Sequence, residues 1–377
     1  MKALISGYAR TPFHFANKGR LATLRPDDMA AQLVAKLLSS LEVDPAALED
    51  VIAGCAYPEA AQGNNLARIV ALRAGLPVEV GGMTVNRFCG SSMSAIHIAA
   101  AQIEAGQGEA YLCFGVESMT MVPQGGFNFS PNPWLLEHTQ AYVKMGQTAE
   151  NVAARFGIAR APQEQMALES HRKAAAARGA GWLRDEIAPM KLDDGSVVDE
   201  DGCIRPQTSL EALASLKPAF RPDGVVTAGT SSPLTDGAAA VLVSTEAFAQ
   251  RFGLQPLARI RAMATAGVDP EVMGLGPIPA TRKALQRAGI GADALDVVEI
   301  NEAFASQALA CIQELRLDPA TINLHGGGLA IGHPLGATGA RITGKAASLL
   351  QRGGGRFALA TQCIGGGQGI ATIIERL

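Results

Sequence analysis

Three residues in this chain have the type and surroundings for covalent or proton-transfer chemistry. Cys89 lies in VNRFCGSSMSAI (residues 85–96), where strand-like residues give way to a helix-forming run. A helix start presents unpaired N–H groups and positive partial charge. Both favour the thiolate, which is the nucleophilic form of cysteine. Gly90 and Ser91 leave room for a substrate to approach. The same surroundings also suit a small buried thiol. His333 in GGGLAIGHPLGATGAR (residues 326–341) precedes a second helix-forming run, and Pro334 suits the first turn of that helix. Cys363 in TQCIGGGQGIA (residues 361–371) is followed by glycines whose successive N–H groups can nest an oxyanion. A thiol there could exchange a proton with a substrate carbon, or could be a passenger in a glycine turn. Asn301 and Glu302 open NEAFASQ, just beyond a strand-like VVEI. They either cap a helix or face the sheet edge where open α/β sheets bind ligands.

The elements that must position these groups occur twice. A helix pattern over residues 27–41 leads into DPAALEDVIAGCAYPEA (44–60). A second over 279–288 leads into GADALDVVEINEAFASQA (291–308). Further on, Cys89 opens a long helix pattern followed by a strand at 110–115, and His333 opens one followed by a strand at 356–361. A long repeated unit of this kind predicts a duplicated α/β domain, in which His333 mirrors Cys89. Between the copies, residues 119 to about 233 are richer in Pro, Gly, Asn and charge, with short helix patterns at 148–156 and 163–177. This stretch reads as an inserted loop domain. Its DDGSVVDEDG run reads as a solvated turn.

Composition narrows the class. The chain has 377 residues, 48% of them apolar, so more than one structural unit is expected. Charged residues are few at 18% and glycines many at 42, which suits a closely packed α/β protein with short turns. A net charge of −3 without a long basic run speaks against nucleic-acid binding. No apolar run is long enough for a membrane span. MKALISGYARTPF reads as strand and turn, without the apolar core of a signal peptide. Six scattered cysteines lack disulfide-scaffold or zinc spacing, so no metal is expected and a reducing, cytoplasmic setting fits. Cys55, Cys113, Cys203 and Cys311 read as structural. His14, His97, His138 and His171 have no partner legible in the sequence.

Taken together, ARTPF (9–13), VNRFCGSSMSAI, TAGTSSPLTDGAAA (227–240), NEAFASQ, GHPLGATGAR and CIGGGQGIA resemble the thiolase family in order and spacing. The resemblance runs over nearly the whole chain. It implies a duplicated five-layer α/β/α/β/α fold. The first half would take residues 1–119 and 234–253, the inserted loop domain 120–233, and the second half 254–377. It implies reversible cleavage of 3-ketoacyl-CoA by coenzyme A, with Cys89 as the acylated nucleophile. Cys363 would handle the proton at the α-carbon, and His333 would activate Cys89 and bind the thioester oxygen. Asn301 would position a water in the same oxyanion hole, and the N–H groups of Cys89 and Gly365 would form a second one. Arg205, Ala228 and Ser232 match coenzyme A contacts. Lys144, Met145, Met273 and Phe304 match the substrate pocket.

Several residues depart from the pattern. Lys144 stands where short-chain members commonly carry His, His325 replaces a frequent Asn, Gly328 a frequent Ala, and Ala212 a Ser that contacts coenzyme A in some members. These changes leave the catalytic set whole and the chain-length class open, with an acetoacetyl-CoA-specific enzyme as the alternative. A ketoacyl synthase of the same fold would lack the second cysteine of CIGGGQG. A non-catalytic acyl-CoA-binding protein would be expected to lose one of Cys89, His333 and Cys363. Coenzyme A is expected as substrate, with no tightly bound cofactor. The expected partners are acyl-CoA thioesters, a second or further copies of the chain as homodimer or homotetramer, and other enzymes of β-oxidation.

Overall fold

The structure, a computed structural model, describes residues 1–377. Its main strands in chain order are β1 (Leu4–Arg10), β2 (Asp50–Gly54), β3 (Gly81–Val85), β4 (Ala110–Ser118), β5 (Thr235–Ser244), β6 (Ala258–Gly267), β7 (Val297–Ile300), β8 (Phe357–Ile364) and β9 (Gln368–Glu375). They form one sheet in the order β7-β8-β9-β6-β1-β5-β4-β2-β3, with the short strand His14–Phe15 paired to β5. The predicted duplication is visible in this order. The first half runs β1-β5-β4-β2 and the second β6-β9-β8-β7. In each half the last two neighbours are parallel and the other neighbours antiparallel. Only β3, parallel to β2, lacks a counterpart. The halves share a short seam, Leu4 opposite Arg259 and Ile5 opposite Ala258, so side-chain packing carries most of the junction.

The principal helices are α1 (Pro26–Ser40), α2 (Leu66–Arg73), α3 (Ser91–Glu104), α4 (Met145–Phe156), α5 (Arg160–Gly179), α6 (Pro277–Ala288), α7 (Ala305–Leu315) and α8 (Thr338–Gly353). α1 shows why they form. Pro26 needs no N–H at the first helical position, and Asp27 and Asp28 complement the positive helix start. Met29, Leu33, Val34, Leu37 and Leu38 then recur on one buried face. α1 and α2 cover one side of the first half, and α6 and α7 cover the second half. α3 and α8 pack on each other between the halves. The result is five layers, α/β/α/β/α. Small residues let the central pair approach: Ala95, Ala99, Ala100, Ala340, Ala346 and Ala347 all lie in the largest buried cluster. β4 and β5, covered on both faces, are buried at every position and carry continuous apolar stretches, 110–116 and 237–243, rather than alternating ones.

The residues between β4 and β5 are fastened to both halves by buried charge. Arg10 in β1 forks onto Asp201 at 2.7 Å through each nitrogen and reaches Glu186 at 2.7 Å. Glu186 also takes Lys345 of α8 at 2.7 Å. Burial alone would raise the Glu186 carboxyl, but Lys345 and Arg10 overcome it and hold it at about 2. His325, the departure from Asn, stacks on Trp182 at 4.8 Å between centroids and feels Lys345 and Glu186. It belongs to this fastening.

Two expectations need correction. α4 and α5 begin three residues earlier than the sequence pattern suggests. The second is more consequential. α8 starts only at Thr338, so Pro334 is in a turn ahead of the helix rather than in its first turn. The Pro334 carbonyl accepts the N–H groups of Ala337 and Thr338 at 3.0 and 3.1 Å. Gly336 N–H is directed away from any helix, to Glu117 Oε2 at 2.8 Å. That bond to the other half holds the turn open.

Candidate active site

Cys89 occupies a single 3-10 turn, Phe88–Gly90, directly before α3. Phe88 has a φ of +43°, a left-handed conformation that costs a side-chain-bearing residue free energy. Local bonds hold it there: Asn86 Oδ1 accepts from Phe88 N–H at 2.8 Å, and Ser91 Oγ accepts from Arg87 N–H at 2.9 Å. The turn lifts Cys89 off the strand end. From the other half, Gln362 Nε2 donates to the Cys89 carbonyl.

The helix start does not lower this thiol, contrary to the sequence argument. Burial pushes Cys89 up to about 11. The N–H groups of Gly365 and of Cys89 itself point at the sulfur and pull the other way without winning, and Glu117 raises it further. Cys89 lies deep among protein atoms, and a thiolate there forfeits more hydration than two N–H dipoles return. The side chain is still only half-buried, so solvent reaches it.

Cys363 is fully buried near the end of β8. Burial raises its thiol well above the ordinary value, and Cys89 raises it further. The preceding Gln362 bonds the Cys89 carbonyl and a Cβ at Gly365 would lie 3.7 Å from the Phe88 ring, so the two cysteine segments meet. The glycines that follow make the β8–β9 hairpin, with Gly366 and Gly367 at φ of +79° and +84°, where a Cβ would be strained. Cys363 shares an apolar cluster with Ala149, Val226, Met273, Ala303 and Phe304, and Met145 packs against it. Three of the expected pocket residues therefore meet the second cysteine. Lys144 does not, being exposed at the start of α4.

His333 is buried, and its neighbours are specific. Its N–H donates to Thr235 Oγ1 at 3.1 Å, and its Nδ1 is 2.6 Å from Thr338 Oγ1. Asn301 Nδ2 lies 3.3 and 3.4 Å from the two ring nitrogens, while Asn301 Oδ1 is buried without a protein partner. Burial, with the Arg341 charge adding, pushes the imidazole down to about 3, so the ring is neutral. Cys89 packs against a small cluster of Ala16, Ala56, Met119 and Leu335, the last from the turn that follows His333. On the loop side, Ser232 N–H donates to the Ala303 carbonyl at 2.9 Å, and Ser231 bridges to Phe304. Ala228 and Arg205 are exposed, and the Arg205 guanidinium lies over the Phe15 ring at 5.2 Å.

The candidate groups are a thiol with two N–H donors, a second thiol, a neutral imidazole and an apolar cluster. Family models of the thiolase N-terminal domain and the thiolase C-terminal domain match residues 3–247 and 254–376. The chain belongs to the thiolase family. This thiolase is 48% identical to a protein of Saccharophagus degradans named 3-ketoacyl-CoA thiolase, over 99% of the chain and 98% of the relative. It is 46% identical to a protein of Stutzerimonas stutzeri with the same name, over 100% of the chain and 98% of the relative.

Sequence reasoning missed the residues of this thiolase that hold the site together. Glu117, at the end of β4, is fully buried. It accepts from Ala56 N–H at 2.8 Å, Tyr57 N–H at 3.2 Å, Gln62 Nε2 at 2.9 Å and Gly336 N–H at 2.8 Å. One carboxylate thus ties the loop after β2 to the turn that carries His333. Its only trace in the sequence is an acidic residue inside an apolar run. Two open clefts lie elsewhere. One of about 550 Å³ opens beside Met1, Leu4, Arg259 and Arg376, and one of about 260 Å³ beside Glu150, Arg221 and Asp223. No helix is long and apolar enough to cross a membrane.

Proposed function

We propose that this thiolase catalyses the reversible cleavage of 3-ketoacyl-CoA by coenzyme A, through an acyl group carried on Cys89. The pair of thiols in one site, contributed by different halves of the molecule, carries the reading. Cys89 gives its proton to His333 and attacks the 3-keto carbon. The bond between the α- and β-carbons then breaks, and its electron pair leaves with acetyl-CoA as an enolate. The Cys363 thiol protonates that carbon and recovers its proton from the incoming coenzyme A. The coenzyme A thiolate takes the shortened acyl group, and the Cys89 sulfur leaves as a thiolate that recovers its proton from His333. One cysteine is occupied covalently while the other moves a proton, which is why two are needed.

Negative charge develops on two oxygens, so two oxyanion sites are needed. The Cys89 and Gly365 N–H groups, already aimed at the sulfur, suit one. His333 and Asn301 suit the other. The imidazole can serve twice, because the proton taken from Cys89 makes it a donor to the thioester oxygen. Arg205, Ala228 and Ser232 would contact coenzyme A. In this reading residues 1–119 and 234–253 are the first half, 120–233 the substrate-contacting insertion and 254–377 the second half.

Broad chain-length use is part of the proposal. Phe129 and Trp134 are 64% and 61% exposed, so they do not fill the apolar cluster around Cys363. Each methylene buried in an acyl channel contributes about 0.8 kcal/mol. The test has two arms. Mass spectrometry after mixing with acetyl-CoA should show an acetyl adduct on Cys89, absent from Cys89→Ala. Thiolysis of 3-ketooctanoyl-CoA should proceed with a kcat/KM at least comparable to that of acetoacetyl-CoA. A tenfold deficit for the longer ester would assign the enzyme to the acetoacetyl-CoA-specific class.

A further inference from the structure

A hydroxyl beside His333 constrains which ring nitrogen carries the proton. Thr338 is fully buried at the first position of α8. Its Oγ1 lies 3.0 Å from the Pro334 carbonyl oxygen and 2.6 Å from His333 Nδ1. A threonine hydroxyl has one proton to give and lone pairs to receive with. The carbonyl can only accept. The hydroxyl meets that carbonyl in the geometry of a donated bond, beside the Ala337 and Thr338 N–H groups that the same oxygen accepts, and this places the Thr338 proton on the Pro334 carbonyl. The Oγ1 lone pair then faces Nδ1, and a 2.6 Å contact to a lone pair requires an N–H on the ring. The Asn301 amide does not decide the matter, because it is nearly equidistant from both ring nitrogens.

We propose that Thr338 is a positioning residue that holds neutral His333 as the Nδ1–H tautomer, leaving the Nε2 lone pair as the base. The inference rests on the proposed role of His333 as the group that deprotonates Cys89. In a neutral imidazole one nitrogen donates and the other accepts, and the bond made by one sets the state of the other. With Nδ1–H spent on Thr338, Nε2 is the atom that can accept the Cys89 proton. Once it has done so it becomes an N–H donor, without rotation of the ring.

The decisive measurement is long-range 15N–1H correlation NMR on wild-type enzyme with labelled histidine. His333→Asn identifies the resonance to be read. The protonated nitrogen of His333 is expected to be Nδ1. A ring protonated at Nε2 overturns the proposal, whatever any Thr338 variant does. Two variants then test the consequence. Thr338→Val, which keeps shape but not the hydroxyl, should lose the tautomer bias and at least about tenfold in kcat/KM for thiolysis. Complete loss of a positioned base costs about 10²–10⁴. Thr338→Ser should restore both readings. A valine variant with normal turnover and an unchanged ring also overturns it. Wild-type thiolysis is recorded on the same preparation. If wild type fails to cleave 3-ketoacyl-CoA, the proposed reaction falls while the tautomer reading stands or falls on the NMR alone.

Discussion

A thiol held at about 11 is nearly all protonated at neutral pH, so the chemistry of Cys89 depends on what removes its proton. The thiolate fraction at pH 8 is on the order of 10⁻³, and it grows tenfold per pH unit until the pKa is reached. Alkylation of resting Cys89 by iodoacetamide, read by peptide mass mapping, should therefore climb steadily from pH 7 to pH 10. A plateau near pH 8.5 would mean that the thiol is not raised. The partner thiol gives a second prediction. Cys363→Ala should still acquire an acetyl group on Cys89 from acetyl-CoA yet lose about 10²–10⁴ of its carbon–carbon cleavage rate, the usual contribution of a placed acid or base. Near-normal thiolysis by that variant would make Cys363 a bystander in the hairpin turn. Cys89, His333 and Cys363 were each legible as candidates from the residues around them. The raised pKa of Cys89 was not, because it comes from the depth of the site, which residue spacing along the chain does not record.

Elements succeed here by bringing backbone from different halves into close contact. A Cβ added at Gly115 in β4 would fall 2.0 Å from the Gly336 carbonyl, so the strand and the His333 turn can meet only where side chains are absent. The buried ion network does similar work for the insertion. Removing one partner of a buried pair leaves an uncompensated charge and costs about 3–5 kcal/mol. Glu186→Ala strands Lys345 and the Arg10 Nε, leaving the Arg10–Asp201 fork in place, and should lower unfolding free energy by about that amount in a denaturant titration. A loss below about 1 kcal/mol would show that water replaces the carboxylate. The pH dependence follows in sign. The folded carboxyl is held below its unfolded value, so its stabilisation is complete above about pH 4.5 and is lost as pH falls toward 2. The sequence offered Arg10, Glu186, Asp201 and Lys345 only as scattered charges. Their separation along the chain hides that they meet.

At the scale of the molecule, one edge of the sheet remains open. β3 is half-exposed at all five of its residues and pairs only with β2. An unpaired edge of this kind is normally covered. We expect a second copy of the chain to cover it, giving at least a homodimer that light scattering detects at micromolar concentration. A monomer there would contradict the expectation. The insertion also exposes Phe127, Phe129 and Trp134, apolar surface on which a larger assembly could be built.

The sequence by itself determined the duplicated plan, the family, and the short segments that bear Cys89, His333, Asn301 and Cys363. These follow from local pattern: apolar period sets each helix and strand, and glycine and proline set the turns between them. Only the tertiary structure decided the working chemistry. It placed Gly365 N–H on the Cys89 sulfur, raised that thiol by burial, and joined the two halves through Glu117 and Gly336. The physical reason is common to all of these. Desolvation and hydrogen-bond direction depend on what surrounds a group in space, and here those surroundings come from segments more than two hundred residues apart in the chain.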